Sequence, residues 1–202
     1  MPKRFYTALA ILLAAVMALS FLPIHGETEI YDTVVRLHVL ANSDSEEDQA
    51  LKLKVRDAVL EQATETLRGA DSQAEASRRL TDILPELEET ARVVITANGY
   101  DYGVRAELAE TSFPTKEYDG FALPAGEYLA LRVLIGEAAG QNWWCVVYPP
   151  LCMTAAANVR ETGIACGMER EDLNLMQEEG EEYQVKFRCV ELWEQLRQWL
   201  HK

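Results

Sequence analysis

The stretch Arg36-Leu37-His38-Val39-Leu40-Ala41-Asn42-Ser43-Asp44-Ser45-Glu46-Glu47-Asp48 passes from a strand pattern to a helix start without a break. Val34 to Leu40 alternates, which puts Val35, Leu37 and Val39 on one face and Arg36 and His38 on the other. Ala41-Asn42-Ser43-Asp44 turns the chain. Ser45-x-x-Asp48 fits a capping box, and Glu46 and Glu47 suit the positive end of a helix. The spacing predicts a helix from there to about Arg68, stopped at Gly69. Leu51, Val55, Val59, Ala63 and Leu67 step at i+4, and Leu53, Leu60 and Leu67 form a second line at i+7. Lys52 and Arg56 fall between these lines, inside the apolar arc. Two cations there either snorkel to its edge or meet carboxylates of this chain or of a partner.

Downstream, a second helix is expected over Ser72 to Leu84. A third follows from Pro85 to about Ala97, with Asn98-Gly99 as its stop. Tyr102 to Ala109 alternates as a half-buried strand. Thr111 to Gly126, with Pro114, Gly120, Pro124 and Gly126, reads as a long connection. Glu127 to Gly136 and Trp143 to Tyr148 read as strands, the second ended by Pro149-Pro150. Asn158 to Tyr183 holds eight acids and two Arg and reads as a loose acidic segment with at most one weak helix. Cys189, Trp193, Leu196 and Leu200 give an amphipathic helix over about Val185 to Leu200.

The expected class is therefore α+β. A mainly antiparallel sheet carries two to three helices inserted after its first strand, and a C-terminal amphipathic helix closes the chain. The expected division is 1–26, 27–157 and 158–202: a signal peptide or anchor, an α+β core, and an acidic segment with the terminal helix.

The first of these parts reads as an address. Lys3 and Arg4 precede an apolar run from Ala8 to Leu22, the layout of a signal peptide or a single signal anchor. Ala18-Leu19-Ser20 is a small-x-small cleavage candidate. Basic residues before the run and Glu27, Glu29 and Asp32 after it orient the body outward.

The chain has 33 acidic and 19 basic residues, a net charge of −14. The first 26 residues hold only Lys3 and Arg4 among these, which leaves 17 basic against 33 acidic, or −16, for the rest. Such a balance excludes a nucleic-acid binder, which needs a basic face. Three His and the absence of C-x-x-C give no metal site. Export lets Cys145, Cys152, Cys166 and Cys189 form disulfides in any of three pairings, or remain as four buried thiols.

No Walker A loop, G-x-S-x-G elbow or H-E-x-x-H motif is present. His38, at a strand's end, could form a nucleophile–base pair with a Cys distant in sequence. Trp143 and Trp144 are adjacent on a strand and so point to opposite faces. One fills a core, and the other needs a cover or a partner.

Three segments together resemble the stage II sporulation protein R family. They are Arg36 to Val59; Phe113-Pro114-Thr115-Lys116 with Leu123-Pro124-Ala125-Gly126-Glu127-Tyr128; and Leu131-Arg132-Val133-x-Ile135-Gly136 leading into Gly140-Gln141-Asn142-Trp143-Trp144-Cys145 and Tyr148-Pro149-Pro150-Leu151-Cys152. From Met153 onward no motif of the family is recognised. The resemblance implies a forespore product exported into the space between forespore and mother cell, secreted or held by one N-terminal membrane anchor. There it triggers a membrane-embedded aspartic peptidase that processes the sigma-E precursor. It implies no catalytic residue, no cofactor and no small-molecule substrate. Arg36, His38, Asn42, Asp44, Lys52 and Arg56 are then the expected partner-binding cluster, with Trp143 or Trp144 as an anchor. The alternatives are an envelope hydrolase using a Cys/His pair and a lipid-facing module using the terminal helix.

Overall fold

The computed structural model describes residues 27–153 and 159–178. Its first elements are α1 (Glu27–Thr33), β1 (Val35–Leu40), α2 (Glu46–Thr66), α3 (Gln73–Asp82) and α4 (Leu84–Ala97). Then come β2 (Val104–Phe113), β3 (Lys116–Tyr118), β4 (Phe121–Leu123), β5 (Gly126–Ile135) and β6 (Asn142–Tyr148). A 3-10 turn (Leu151–Met153), α5 (Val159–Ala165) and α6 (Arg170–Glu178) follow. The expected 1–26 segment, the terminal helix and Cys189 lie outside the described residues. Among the described residues no helix is long and apolar enough to cross a membrane.

Four strands form one sheet in the order β2-β5-β1-β6. β1 is antiparallel to β6 and parallel to β5, while β2 and β5 are antiparallel over ten residue pairs. The class is α+β, with a mixed sheet in which two of these three pairings are antiparallel. β1 is interior, so Val35 to Val39 are buried on both faces, Arg36 and His38 included.

The first sheet face packs on α2, α3 and α4. Leu37, Val39, Leu131 and Val133 meet Val55, Val59, Leu80 and Leu87 in one buried cluster. The Ser45 hydroxyl caps α2 by accepting the Asp48 N–H. Ser72 caps α3 through the Glu75 N–H. Pro85 sits in the first turn of α4, and Gly99, at φ +84°, follows its end. Leu53 departs from its expected place and is 39 % exposed. Residues two apart on a helix lie about 200° apart, so burying Leu51 and Val55 turns Leu53 outward.

Two further expectations are corrected on the other face. The long connection after Thr111 is structured: β2 continues to Phe113, and β3 and β4 form a hairpin around Asp119-Gly120. Gly120, at φ +85°, supplies the positive φ of that two-residue turn. The Tyr118 and Phe121 rings stack across it with centroids 4.8 Å apart. The acidic stretch after residue 158 is not loose over its described part. α5 and α6 turn Val159, Leu173 and Met176 onto the second sheet face, against Tyr128, Val146 and Leu151. An apolar residue every three or four positions suffices for that, however acidic the outer side is.

Candidate functional site

The turn after β1 and the loop after β5 are tied together at one end of the sheet. Asp48 is buried, and its Oδ2 accepts the Ser43 hydroxyl at 2.6 Å and the Asn42 amide at 2.9 Å. The capping box is therefore half formed: Ser45 caps Asp48, but the Asp48 carboxylate reaches Asn42 and Ser43 rather than back to the Ser45 N–H. That N–H goes to the Ser43 hydroxyl at 3.2 Å. Asn42 Oδ1 accepts the Glu137 N–H, and the Asn42 and Ala41 carbonyls accept the N–H groups of Ala139 and Gly140. A Cβ on Gly136 would overlap the Asn42 side chain, and one on Gly140 would overlap the Ser43 carbonyl. The two loops can approach this closely only because both positions are glycine.

Lys52 completes the tie. Its ammonium donates to Gln49 Oε1 at 2.5 Å and to the Gln141 carbonyl at 2.8 Å. It is 4 % exposed, so it does not snorkel, and its hydrogen-bond partners among the described residues are an amide oxygen and a carbonyl rather than a carboxylate. Burial lowers its pKa, partly countered by the charge of Asp44. Burial also works against the Asp48 charge. The hydrogen bonds from Ser43, Asn42 and Tyr102 outweigh it and hold that carboxyl below its ordinary value.

Arg36 and His38 sit on the second sheet face. Arg36 is fully buried, its guanidinium over the Phe113 ring at 4.0 Å and the Tyr128 ring at 4.9 Å. Its Nη2 donates to the Tyr118 hydroxyl at 2.7 Å, while Nε and Nη1 have no hydrogen-bond partner among the described residues. His38 Nε2 lies 2.6 Å from Asn142 Oδ1. An amide oxygen only accepts, so the proton is on Nε2, and Nδ1 is a buried acceptor without a donor. Burial depresses the His38 pKa. The Asn142 bond raises it, and Arg132 and Arg36 lower it further.

The two tryptophans flank the sheet edge. Trp143 packs toward the α2 side under the Arg56 guanidinium, 4.6 Å from its centroid. Trp144 lies on the other face, near His38 and Phe113. A cleft of about 440 Å³ opens between them, with Arg56, Asp57 and Leu60 on one wall and Lys116, Tyr118 and Phe121 on the other. Arg56 also pairs with its neighbour Asp57.

The expected cluster thus divides. Arg36, His38 and Lys52 are buried and hold the fold. Asn42 is half-buried and spans the two loops, and Asp44 is exposed on the turn. Arg56, Trp143 and Trp144 line the cleft. Asp48, Gln49, Gln141 and Asn142 are members that the sequence reading did not place in the cluster. Asp48 was legible only as a cap, because its true partners precede it in the turn.

Among the described residues, no cysteine is paired with His38. His38 is registered with Trp144 and Leu37 with Cys145, so Cys145 projects from the opposite face of the sheet. Cys145 is bonded to Cys152, with Cα atoms 5.9 Å apart. Cys166 is free, and burial pushes its thiol pKa up. Among the described residues no group of three or more His, Cys, Asp or Glu could hold a metal ion.

Residues 31–158 match the family model for stage II sporulation protein R. The stage II sporulation protein R of Bacillus subtilis (strain 168) is 40 % identical over 129 residues, 64 % of this chain and 58 % of that protein. The match thus spans less than two thirds of the relative's length. No solved structure matches. With the family match covering the sheet, its three first-face helices and the tied loops, the chain belongs to the stage II sporulation protein R family.

Proposed function

We propose that this chain is an exported sporulation signal that binds and activates the membrane-embedded aspartic peptidase that processes the sigma-E precursor. Family membership over residues 31–158 carries the reading. The N-terminal apolar run supports export from the forespore, with the body released or held by one anchor in the intermembrane space. The chain acts as a binding activator: it contacts the active arrangement of the peptidase more tightly than the inactive one and shifts the population toward it.

The use of the motif residues supports binding over catalysis. Asn42, Ser43, Asp48, Gln49 and Lys52 spend their hydrogen-bonding capacity on one another and on the loop from Gly136 to Gln141. What they present to solvent is a fixed pair of loops with Asp44, Ser45, Glu46 and Glu137 exposed. A surface ordered before contact loses little conformational entropy on binding. Arg56 and Trp143 lie on its flank.

The test is co-expression of the peptidase and the sigma-E precursor with and without this chain, scoring precursor cleavage. Cleavage should require the chain and fall when Asp44 and Arg56 are both replaced by Ala in a protein that melts normally. Cleavage independent of the chain would refute the activator role.

A further inference from the structure

The two walls of the cleft beside β6 carry charge in equal and opposite amounts. On the α2 wall Arg56 and Asp57 form an ion pair, with the guanidinium stacked on Trp143. On the hairpin wall Lys116 and Asp119 both line the cleft and are exposed. These two cations and two carboxylates sum to no net charge. A charged ligand would be attracted by one pair and repelled by the other at similar range. A neutral ligand that carries both donors and acceptors can use all of them.

The remaining lining is flat and apolar, with one more donor. Trp143 and Trp144 are half-buried and offer aromatic surface. The Tyr118 oxygen accepts the Arg36 Nη2–H, and the hydroxyl keeps its own hydrogen to donate.

The strand edge beside the cleft does not invite an extended peptide, which would bind by adding main-chain hydrogen bonds to it. The Val146 N–H is already bound to the Cys152 sulfur at 3.0 Å, and the Cys145–Cys152 bond holds the following turn against the strand. An occupant is therefore held by side chains. The volume of about 440 Å³ falls within the roughly 300–1,000 Å³ of small-ligand clefts.

A pyranose ring with equatorial hydroxyls meets these conditions. It is neutral, its C–H bonds make an apolar face that stacks on tryptophan, and its rim both donates and accepts. We propose that the cleft is a saccharide site. One ring lies on Trp144, and its hydroxyls are shared among Lys116, Asp119 and the Arg56–Asp57 pair. This binding is separate from the activator role and rests on no property of the family. None of the residues of the tied loops lines the cleft, so a bound saccharide leaves those loops free.

Titration of the full chain with cellotriose and with chitotriose, followed at the indole N–H resonances of Trp143 and Trp144, tests this. One or both sugars should shift the Trp144 resonance saturably. Asp119→Ala and Lys116→Ala each remove an exposed hydrogen-bonding group of the hairpin. Each should leave the melt unchanged and weaken binding roughly 10-fold. Glu46→Ala, on the tied loops, should bind like the parent chain. The absence of a saturable shift with either sugar would overturn the proposal, as would binding that both hairpin variants leave intact. The blocked peptides acetyl-Glu-Phe-amide and acetyl-Lys-Phe-amide should leave both resonances in place. If either peptide binds more tightly than the sugars, the cleft belongs to a peptide side chain and the proposal is overturned.

Discussion

Lys52 and Gln141 stand 89 residues apart in sequence and meet through one hydrogen bond of 2.8 Å, from a buried ammonium to a main-chain carbonyl. That bond joins the helix after β1 to the loop before β6. Lys52→Met keeps the stem and removes the donor, leaving the Gln141 carbonyl and the Gln49 amide oxygen without it. The expected loss is about 2 kcal/mol in a denaturant melt. Lys54→Met, on the exposed side of the same helix, should cost about 0.5 kcal/mol or less. Equal losses would show that the buried tie adds nothing.

The strand, the capped helix and the alternation of β5 were legible because each is a local pattern. Their pairing was not. Nothing in the periodicity of β1 and β5 says that they lie parallel and adjacent, because that depends on where the intervening helices return the chain. The Asp119-Gly120 hairpin was hidden by short arms of three residues each. The site was legible as residue types and misread in role. Arg36, His38 and Lys52 looked like surface chemistry because they are polar. They are buried because β1 is interior and because Lys52 faces the first-face core.

Protonation should weaken the fold in two windows. His38 has a folded pKa below its ordinary value of 6.5, mainly through burial. The unfolded chain therefore binds a proton before the folded one does. Stability should hold above pH 6.5 and decline as pH falls from there toward the lower folded value. Asp48, also depressed, contributes stability above its ordinary value of 3.8 that is lost as pH falls through its folded value. His38→Gln should remove the first decline and Asp48→Asn the second. Urea midpoints at closely spaced pH values would show this. A first decline that survives His38→Gln belongs to another group.

The Cys145–Cys152 bond closes a short loop at the cleft. Alkylation of the folded chain before and after reduction should label both residues only after reduction. Cys166, with its pKa raised by burial, should react slowly until the chain unfolds. Replacing Cys145 and Cys152 by Ala should cost about 2 kcal/mol. Peptidase activation at a temperature where that variant is folded should persist. Loss of activation there, or in a variant lacking all four Cys, would revive thiol chemistry.

Arg36 and Arg56 separate folding from contact. Arg36→Ala removes a side chain packed on Phe113 and Tyr128 and should cost about 3 kcal/mol. Arg36→Met fills much of the same space and removes a buried cation with two unpartnered nitrogens. It should melt close to the parent chain or above it, since replacing a poorly compensated buried charge by an apolar group of similar volume is often neutral or stabilising. Because Arg36 is inaccessible, Arg36→Met should also keep peptidase activation. Arg56→Ala should do the reverse. Its stacking on Trp143 is partly exposed, so the melt should move by about 1 kcal/mol or less, while activation falls. If Arg36→Met is as damaging to the fold as Arg36→Ala, the guanidinium earns its place through the Tyr118 bond and the two rings. If Arg56→Ala activates normally, the contact surface is confined to the tied loops around Asp44 and Glu137.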